Sequence, residues 1–264
     1  MVQASSTLRQ FPKSPIMSLM SQKLQAVHAS IQAAAAAVSR RPDSVALLAV
    51  SKTFGADMVL EAIAAGQRAF GENYLQEAVA KMAAVALALQ AGPDAAVAQP
   101  LLEWHFIGPI QSNKTRPIAE NFAWVHTVER EKIAQRLSEQ RPSHLPPLNI
   151  CLQVNISGEA SKSGMAPAEV LAAARAIVGL PRLQLRGLMA IPEPTEDLQK
   201  QHAAFRQTRE LLQQLQVELP AHAAQLDTLS MGMSADMAVA IEEGATIVRV
   251  GSAIFGQRER TIQS

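Results

Sequence analysis

The sequence predicts an α/β protein that folds as a single (β/α)8 barrel preceded by an N-terminal helix. Short apolar runs alternate with helix-periodic segments, and eight such runs fit within a domain-sized chain of 264 residues. Neither an internal repeat nor a long linker marks a second domain. Buried strands that alternate with helices imply parallel strands with right-handed crossovers. Eight of them favour closure into a barrel over the alternative, an open doubly wound sheet.

The order of elements follows from the apolar runs. An Ala-rich segment, 18–40, predicts the first helix, which the following Arg41-Pro42 pair ends. The predicted strands are 44–51, 68–72, 103–108, 123–127, 147–155, 183–190, 226–231 and 246–250. The helices predicted between them are 56–65, 73–90, 113–121, 129–140, 167–179, 198–218 and 234–243. Gly66 follows the helix 56–65 as a typical stop, and Gly179-Leu180-Pro181 closes the helix 167–179.

Composition excludes several classes of function. The formal net charge of +1 argues against nucleic-acid binding as the main activity. The single cysteine, Cys151, excludes an internal disulfide and a cysteine-based metal cluster, and it indicates a reducing cytoplasmic location. The chain contains no apolar run of the roughly 20 residues that span a bilayer. We therefore expect a cytoplasmic protein without nucleic-acid or membrane partners.

The first 17 residues differ from the rest of the chain. They are polar and basic, and the first acidic residue is Asp43. Transit peptides share this composition, but a disordered tail or a start codon placed too early is the favoured interpretation. We expect residues 1–17 to be a flexible leader and residues 18–264 to be the barrel domain.

Lys52 lies directly after the first predicted strand, in "LLAVSKT". A buried ammonium is costly unless it is paired, neutralised or chemically used. In a barrel, the residues just past each strand gather on one face, so Lys52 is expected at a rim where ligands bind. It could form a salt bridge with a carboxylate such as Glu72, or it could form a Schiff base with a carbonyl. The residues alone leave both interpretations open.

Two glycine- and serine-containing segments follow the seventh and eighth strands, "SMGMS" (230–234) and "RVGS" (249–252). Phosphate sites in such barrels are commonly built at these positions from backbone N–H groups. Each segment could also be a simple turn. A phosphate site next to Lys52 would suit either pyridoxal phosphate or a phosphorylated-sugar aldolase.

Three further residues have alternative interpretations. His105 is either a hydrogen-bonded core histidine or a site residue, and the strand histidines lack the HExxH spacing of a metal site. Asn73 could simply cap the following helix. Arg249 could pair with a carboxylate such as Glu72 or Glu242. No metal site is expected.

Six ordered blocks carry a family resemblance: "LLAVSKT", "GENYLQE", "WHFIGPIQSNK", "VNISGEASKSG", "RGLMAI" and "SMGMSADM…GATIVRVGSAIFG". Together they resemble the YggS/PROSC family of pyridoxal phosphate homeostasis proteins. The similar region runs from about residue 20 to residue 257, which is nearly the whole chain apart from the leader.

The resemblance implies a fold-type III barrel like the N-terminal domain of alanine racemase. It implies that Lys52 carries pyridoxal 5′-phosphate as an internal aldimine. Arg249 would approach the pyridine nitrogen, and Asn73 and His105 would lie near the ring. The residues around the phosphate would be Ser230, Gly232, Gly251 and Ser252.

The implied function is a carrier that binds pyridoxal phosphate and buffers its supply, with little or no catalysis and no catalytic residue. Its partners would be pyridoxal phosphate and, as recipients, enzymes that use this cofactor; the chain would be a monomer or a weak homodimer. The alternative is an amino-acid racemase, which needs a second acid/base opposite the lysine. The only tyrosine, Tyr74, lies at a predicted helix start. A Schiff-base aldolase without cofactor is the third hypothesis.

Overall fold

The computed structural model describes residues 18–91, 101–158 and 163–257, and the strands in these ranges form one closed parallel barrel. Successive strands are neighbours, and the last pairs with the first, with Arg249 opposite Leu48. The predicted (β/α)8 barrel is therefore confirmed, and the open sheet is excluded. The strands are β1 (Ala46–Val50), β2 (Ala69–Glu72), β3 (Glu103–Phe106), β4 (Trp124–Val128), β5 (Leu148–Val154), β6 (Leu183–Ala190), β7 (Thr228–Ser230) and β8 (Ile247–Val250).

Helices precede the barrel, cross between its strands and follow the last strand. The α-helices in the described ranges are α1 (Leu19–Ala37), α2 (Ala56–Ala64), α3 (Leu75–Ala91), α4 (Thr115–Asn121), α5 (Glu131–Gln140), α6 (Val170–Ile177), α7 (Leu198–Glu218), α8 (Met237–Glu242) and α9 (Ser252–Phe255). Short 3₁₀ helices occur at Pro42–Ser44, Ser112–Lys114, Pro167–Glu169 and Pro220–Gln225. Within those ranges, no helix combines the length and the apolar character needed to cross a bilayer.

The first helix ends three residues earlier than predicted. Ser39 has a φ of 57°, so the chain reverses there. The amide of Arg40 returns to the carbonyl of Ala35 at 2.9 Å, which closes the helix in the manner of a Schellman turn. A stripe of buried residues joins α1 to the barrel wall, where it packs on α2, α8 and α9. This stripe is Met20, Leu24, Val27, Ile31 and Ala35.

The strands alternate between two cores because successive side chains point to opposite faces. In β8, Ile247 belongs to the cluster inside the barrel, whereas Val248 and Val250 belong to the larger layer between barrel and helices. The interior cluster consists of Leu48, Trp124, Cys151, Met189 and Ile247. Strands with both faces covered explain the nearly continuous apolar runs in the sequence.

The predicted leader, 1–17, lies outside the described residues, as do 92–100, 159–162 and 258–264. The boundary between a leader and a domain beginning at residue 18 therefore stays a prediction. The described part of the domain from Ser18 onward begins with α1, whose first turn is capped by the Ser18 hydroxyl.

Candidate functional site

A cavity of about 690 Å³ opens at the carboxyl ends of the strands, on the face where the sequence placed the site. Five of the eight predicted site residues line it: Lys52, Asn73, Arg249, Gly251 and Ser252. Barrel closure brings them together, because β1 lies between β2 and β8. The complete lining is Val50, Lys52, Phe54, Asn73, Ile107, Ile191, Met233, Ser234, Ala235, Arg249, Gly251, Ser252, Gly256 and Gln257.

Lys52 is half-buried in the loop that leaves β1. Glu72, the carboxylate considered as its partner, is fully buried and accepts hydrogen bonds from Lys81 Nζ at 2.7 Å and from the Ser51 hydroxyl at 2.6 Å. Burial raises the pKa of Glu72, while the bonds from Lys81 and Ser51 act in the opposite direction. The cation that pairs with Glu72 is therefore Lys81, a residue that the sequence did not single out.

Arg249 lies on β8 with 5% of its surface exposed, and it holds its place through oxygen acceptors rather than through Glu72 or Glu242. Its Nη1 donates to the Ser230 carbonyl at 2.6 Å and to the Ser230 hydroxyl at 2.8 Å. Its Nη2 donates to the Ala190 carbonyl at 3.0 Å. Burial lowers the pKa of Arg249 to about 10, so the group stays charged at neutral pH. Three of the five N–H donors of the guanidinium are thus engaged by acceptors in the described part of the chain.

His105 lies inside the barrel, 3% exposed, and is not among the described residues that line the cavity. Its Nδ1 is 2.9 Å from His126 Nε2, and His126 Nδ1 is 2.7 Å from the Ser230 hydroxyl. Its ring stacks on Trp124 at 5.4 Å between centroids. His105 therefore occupies the hydrogen-bonded core position that the sequence offered as one of two interpretations. Within the described ranges, no cluster of three or more potential ligands could hold a metal ion.

One arrangement of protons satisfies the contacts from Arg249 to His105 in this buried network. Arg249 donates to the Ser230 hydroxyl, which donates to His126 Nδ1. His126 Nε2–H then donates to His105 Nδ1, and His105 Nε2–H faces Glu103 Oε2 at 3.5 Å. Burial lowers the pKa of His126 well below 6.5, and the nearby His105 and Arg249 add to the effect. Burial lowers the pKa of His105 as well, so both histidines are neutral at neutral pH. The network of contacts runs from Arg249 to Glu103, the first residue of β3, at the opposite end of the barrel.

Ser230 and Gly232 lie behind the cavity wall, and neither is among its described lining residues. Gly232 has a φ of 92°, and a Cβ there would lie 2.6 Å from the Cβ of Ala240. Its carbonyl accepts from the Arg249 amide at 3.0 Å, which continues the β7–β8 pairing. Both residues support the wall from behind, and a direct role at a phosphate stays a prediction.

The segment after β7 reaches the cavity through residues 233–235. Helix α8 begins at Met237 rather than at 234, because the Asp236 carboxylate accepts from the Met233 amide at 2.6 Å and closes a turn there. This turn presents the exposed Ser234 to the cavity. In the sequence, Ser234 is the last residue of the segment 230–234 that was considered for a phosphate site.

The second segment, after β8, brings the backbone close to β1. A Cβ at Gly251 would lie 3.2 Å from the carbonyl oxygen of Val50, so a larger residue would crowd this strand. The next residue, Ser252, begins α9, and the first amides of a helix have no intrahelical partner. Backbone amides and the hydroxyls of Ser234 and Ser252 thus form a donor set suited to a phosphate.

The charges of the cavity suit an anionic aldehyde. Lys52 and Arg249 are cationic, and no acidic residue occurs among the described lining residues. The side-chain oxygen of Asn73 is buried without a hydrogen-bond partner in the described part of the chain. An orphaned polar atom in a cavity wall is available to a ligand. The remaining wall is apolar and suits the faces of a flat ring.

The apolar residues that line the Lys52 cavity were not predicted from the sequence. Ile107 follows β3 and Ile191 follows β6, and both line the cavity. The rule that residues just past barrel strands face the site would have found Ile191, which follows the predicted strand 183–190, but not Ile107, which lies within the predicted strand 103–108. Apolar residues at strand ends carry no chemical signal of their own, so residue type alone did not single out either isoleucine.

Comparisons with known proteins agree with the geometry. The family model of the alanine racemase N-terminal domain matches residues 22–259. The pyridoxal phosphate homeostasis protein of Pseudomonas aeruginosa is 59% identical over 243 residues, which cover 92% of this chain and 97% of that protein.

Solved structures extend the comparison. PipY of Synechococcus elongatus, determined with pyridoxal phosphate bound, is 35% identical with a TM-score of 0.75; the match covers 90% of this chain and 100% of PipY. Alanine racemase from Corynebacterium glutamicum is 14% identical with a TM-score of 0.60, and the match covers 89% of this chain and 62% of the racemase. This second likeness shows a shared barrel fold. The chain belongs to the pyridoxal phosphate homeostasis protein family, whose barrel is that of the alanine racemase N-terminal domain.

Proposed function

We propose that this protein binds pyridoxal 5′-phosphate as a Schiff base on Lys52 and acts in the homeostasis and supply of this cofactor, with little or no catalysis of its own. The observation that carries the proposal is the cavity that combines Lys52, Arg249 and the Gly251-Ser252 turn. The names of the homeostasis protein from Pseudomonas aeruginosa and of PipY with its bound cofactor support it.

Each lining residue would have a distinct part in binding. Lys52 supplies the amine that condenses with the aldehyde of the cofactor. Gly251, Ser252 and Ser234 would donate hydrogen bonds to the phosphate. Arg249 would face the pyridine nitrogen, and because a guanidinium only donates hydrogen bonds, that nitrogen would be held as an acceptor.

An unprotonated ring nitrogen supports a carrier rather than a catalyst. When bound, the cofactor can withdraw electrons from a substrate carbon, and it does so best with a protonated ring. The buried hydrogen bonds of Arg249 to Ser230 and Ala190 fix the guanidinium, so a carboxylate cannot take its place at the ring. Electron withdrawal would therefore be weak.

The position of the single tyrosine also argues against racemisation. Tyr74 is half-exposed just before α3, and it lines a neighbouring cavity rather than the one that contains Lys52. Two-base racemisation needs an acid/base on the face of the cofactor opposite the lysine. Among the lining residues of the Lys52 cavity, Arg249 and Lys52 are the ionisable groups, and Arg249 is engaged in the wall.

The remaining parts of the proposal concern partners and location. Enzymes that use pyridoxal phosphate are the proposed recipients, and the chain is proposed to act in the cytoplasm as a monomer or weak homodimer. The open mouth of the cavity at the barrel rim supports direct hand-over, because a ligand can leave without rearrangement of the barrel.

The test is attachment of the cofactor to Lys52. Protein incubated with pyridoxal phosphate should show a visible imine absorbance band that borohydride removes, leaving a secondary amine on Lys52. Lys52→Ala should lack the band, whereas Lys132→Ala, which alters an exposed lysine on α5, should keep it. A saturated wild-type protein without the band would refute cofactor binding. Racemisation of alanine by the loaded protein would favour the racemase instead.

A further inference from the structure

A buried ion cluster lies beneath the loop that carries Lys52. It consists of Lys81 on α3 with the two carboxylates of Glu72 and Glu77, and it is called the Lys81 cluster here. The Lys81 ammonium is 3% exposed and donates three hydrogen bonds: to Glu72 at 2.7 Å, to Glu77 at 2.9 Å and to the Ser51 carbonyl at 2.7 Å. All three of its N–H donors are therefore used.

The cluster holds both peptide groups that flank Lys52. The carbonyl on its N-terminal side, from Ser51, accepts from Lys81. The amide on its C-terminal side, from Thr53, donates to Glu77 Oε1 at 2.6 Å. Thr53 has a φ of 68°, a left-handed conformation that a β-branched residue adopts only when its surroundings impose it. The backbone on either side of the attachment lysine is thus fixed by one group of charges.

A contribution to protein stability does not by itself explain why these charged residues are buried here. Burying an ammonium and a carboxylate costs desolvation energy, and apolar residues of similar volume often serve stability as well or better. The bonds of the cluster to the Lys52 loop are directional, and they restrain the one segment whose geometry decides where the Lys52 amine points.

We propose that Lys81 and Glu77 are positioning residues for Lys52, which hold its loop so that the amine faces the cavity. The inference rests on the proposed function of Lys52. In the step concerned, the deprotonated Lys52 amine attacks the aldehyde carbon and a carbon–nitrogen double bond forms. The aldehyde oxygen leaves as water with the two hydrogens of the amine. Lys81 and Glu77 take no part in this exchange of atoms.

The test measures imine formation with pyridoxal phosphate by stopped-flow absorbance in Lys81→Met and Glu77→Gln. Each change weakens a charge-assisted hydrogen bond to the loop, so we expect the second-order rate constant to fall about tenfold. In the cofactor-free protein, hydrogen exchange of the Thr53 amide should become faster in both variants. Glu77 is 34% exposed, so its variant is expected to fold even if Lys81→Met does not.

Matched controls separate positioning from general loss of stability. Ile133→Val and Ile133→Ala remove buried volume from α5, which packs against β4 and β6. They should lower stability in graded steps while keeping the wild-type attachment rate.

Three outcomes are decisive. A wild-type rate in Glu77→Gln or Lys81→Met would overturn the positioning role, and so would equal slowing in an Ile133 variant of matched stability. A wild-type protein that forms no imine would instead refute the proposed function itself.

Discussion

The buried histidine pair makes stability depend on pH, and His126 is the group to perturb. Its pKa lies well below 6.5 in the folded protein because it is buried beside His105 and Arg249. In the unfolded chain the same imidazole titrates near 6.5. The unfolded state therefore binds more protons at acidic pH, so this contribution is fully present above pH 6.5 and is lost as the pH falls below it.

The size of the effect follows from proton linkage. One proton taken up only on unfolding costs about 1.4 kcal/mol of stability per pH unit below 6.5. Between pH 7.5 and pH 5.5, His126 should therefore remove roughly 1 kcal/mol from the free energy of unfolding. Burial also lowers the pKa of His105, while Glu103 opposes this, so His105 adds a smaller loss of the same sign. The raised pKa of Glu72 acts in the opposite direction, which is why a variant must isolate His126.

The assay is urea unfolding at pH 7.5 and pH 5.5, at equal ionic strength, for wild type, His126→Gln and His28→Gln. Glutamine removes the titration at His126, so this variant should lose roughly 1 kcal/mol less than wild type on acidification. His28 is exposed on α1, and its variant should behave as wild type. If His126→Gln lost as much stability as wild type, the neutral buried state of His126 would be refuted.

Two further predictions concern the barrel wall and its interior. Gly232→Ala should lower the free energy of unfolding by about 2–4 kcal/mol, because φ is 92° and the new Cβ would press on Ala240. Gly179→Ala, with no atom within 4 Å of the new Cβ, should change it by less than about 0.5 kcal/mol; similar costs in both would contradict the assignment. Burial raises the pKa of Cys151 to about 12, so a thiol reagent at pH 8 should label it only in denaturant. Rapid labelling of the native protein would be inconsistent with this environment.

The sequence was a good guide to the barrel because its signals are local. Strands buried on both faces must be almost wholly apolar, and β1, whose residues Leu47 to Val50 are apolar and buried, shows this pattern clearly. The ends of helices were less certain. Ser39 reverses the chain through a left-handed conformation that serine adopts infrequently, so the predicted first helix ran three residues too far.

The sequence also predicted the face of the barrel on which the Lys52 cavity opens. The residues just past β1 and β8 meet there as a consequence of strand order alone, and Lys52, Gly251 and Ser252 all line one cavity. Their chemistry, an amine beside a potential phosphate site, could be read from the residue types. How deep each side chain lies in the barrel could not be predicted from residue type. His105 and Arg249 both occupy inward-facing strand positions, yet only Arg249 lines the cavity.

By itself, then, the sequence determined the barrel, the lysine after its first strand and the family to which these motifs belong. Only the tertiary structure decided which groups are partners. His126 meets the Ser230 hydroxyl across 104 residues of chain, and Lys81, in the middle of a helix, meets the loop of Lys52 thirty residues earlier. Periodicity records which face of an element is buried, but a hydrogen bond depends on positions fixed to within a fraction of an ångström by closure of the whole barrel.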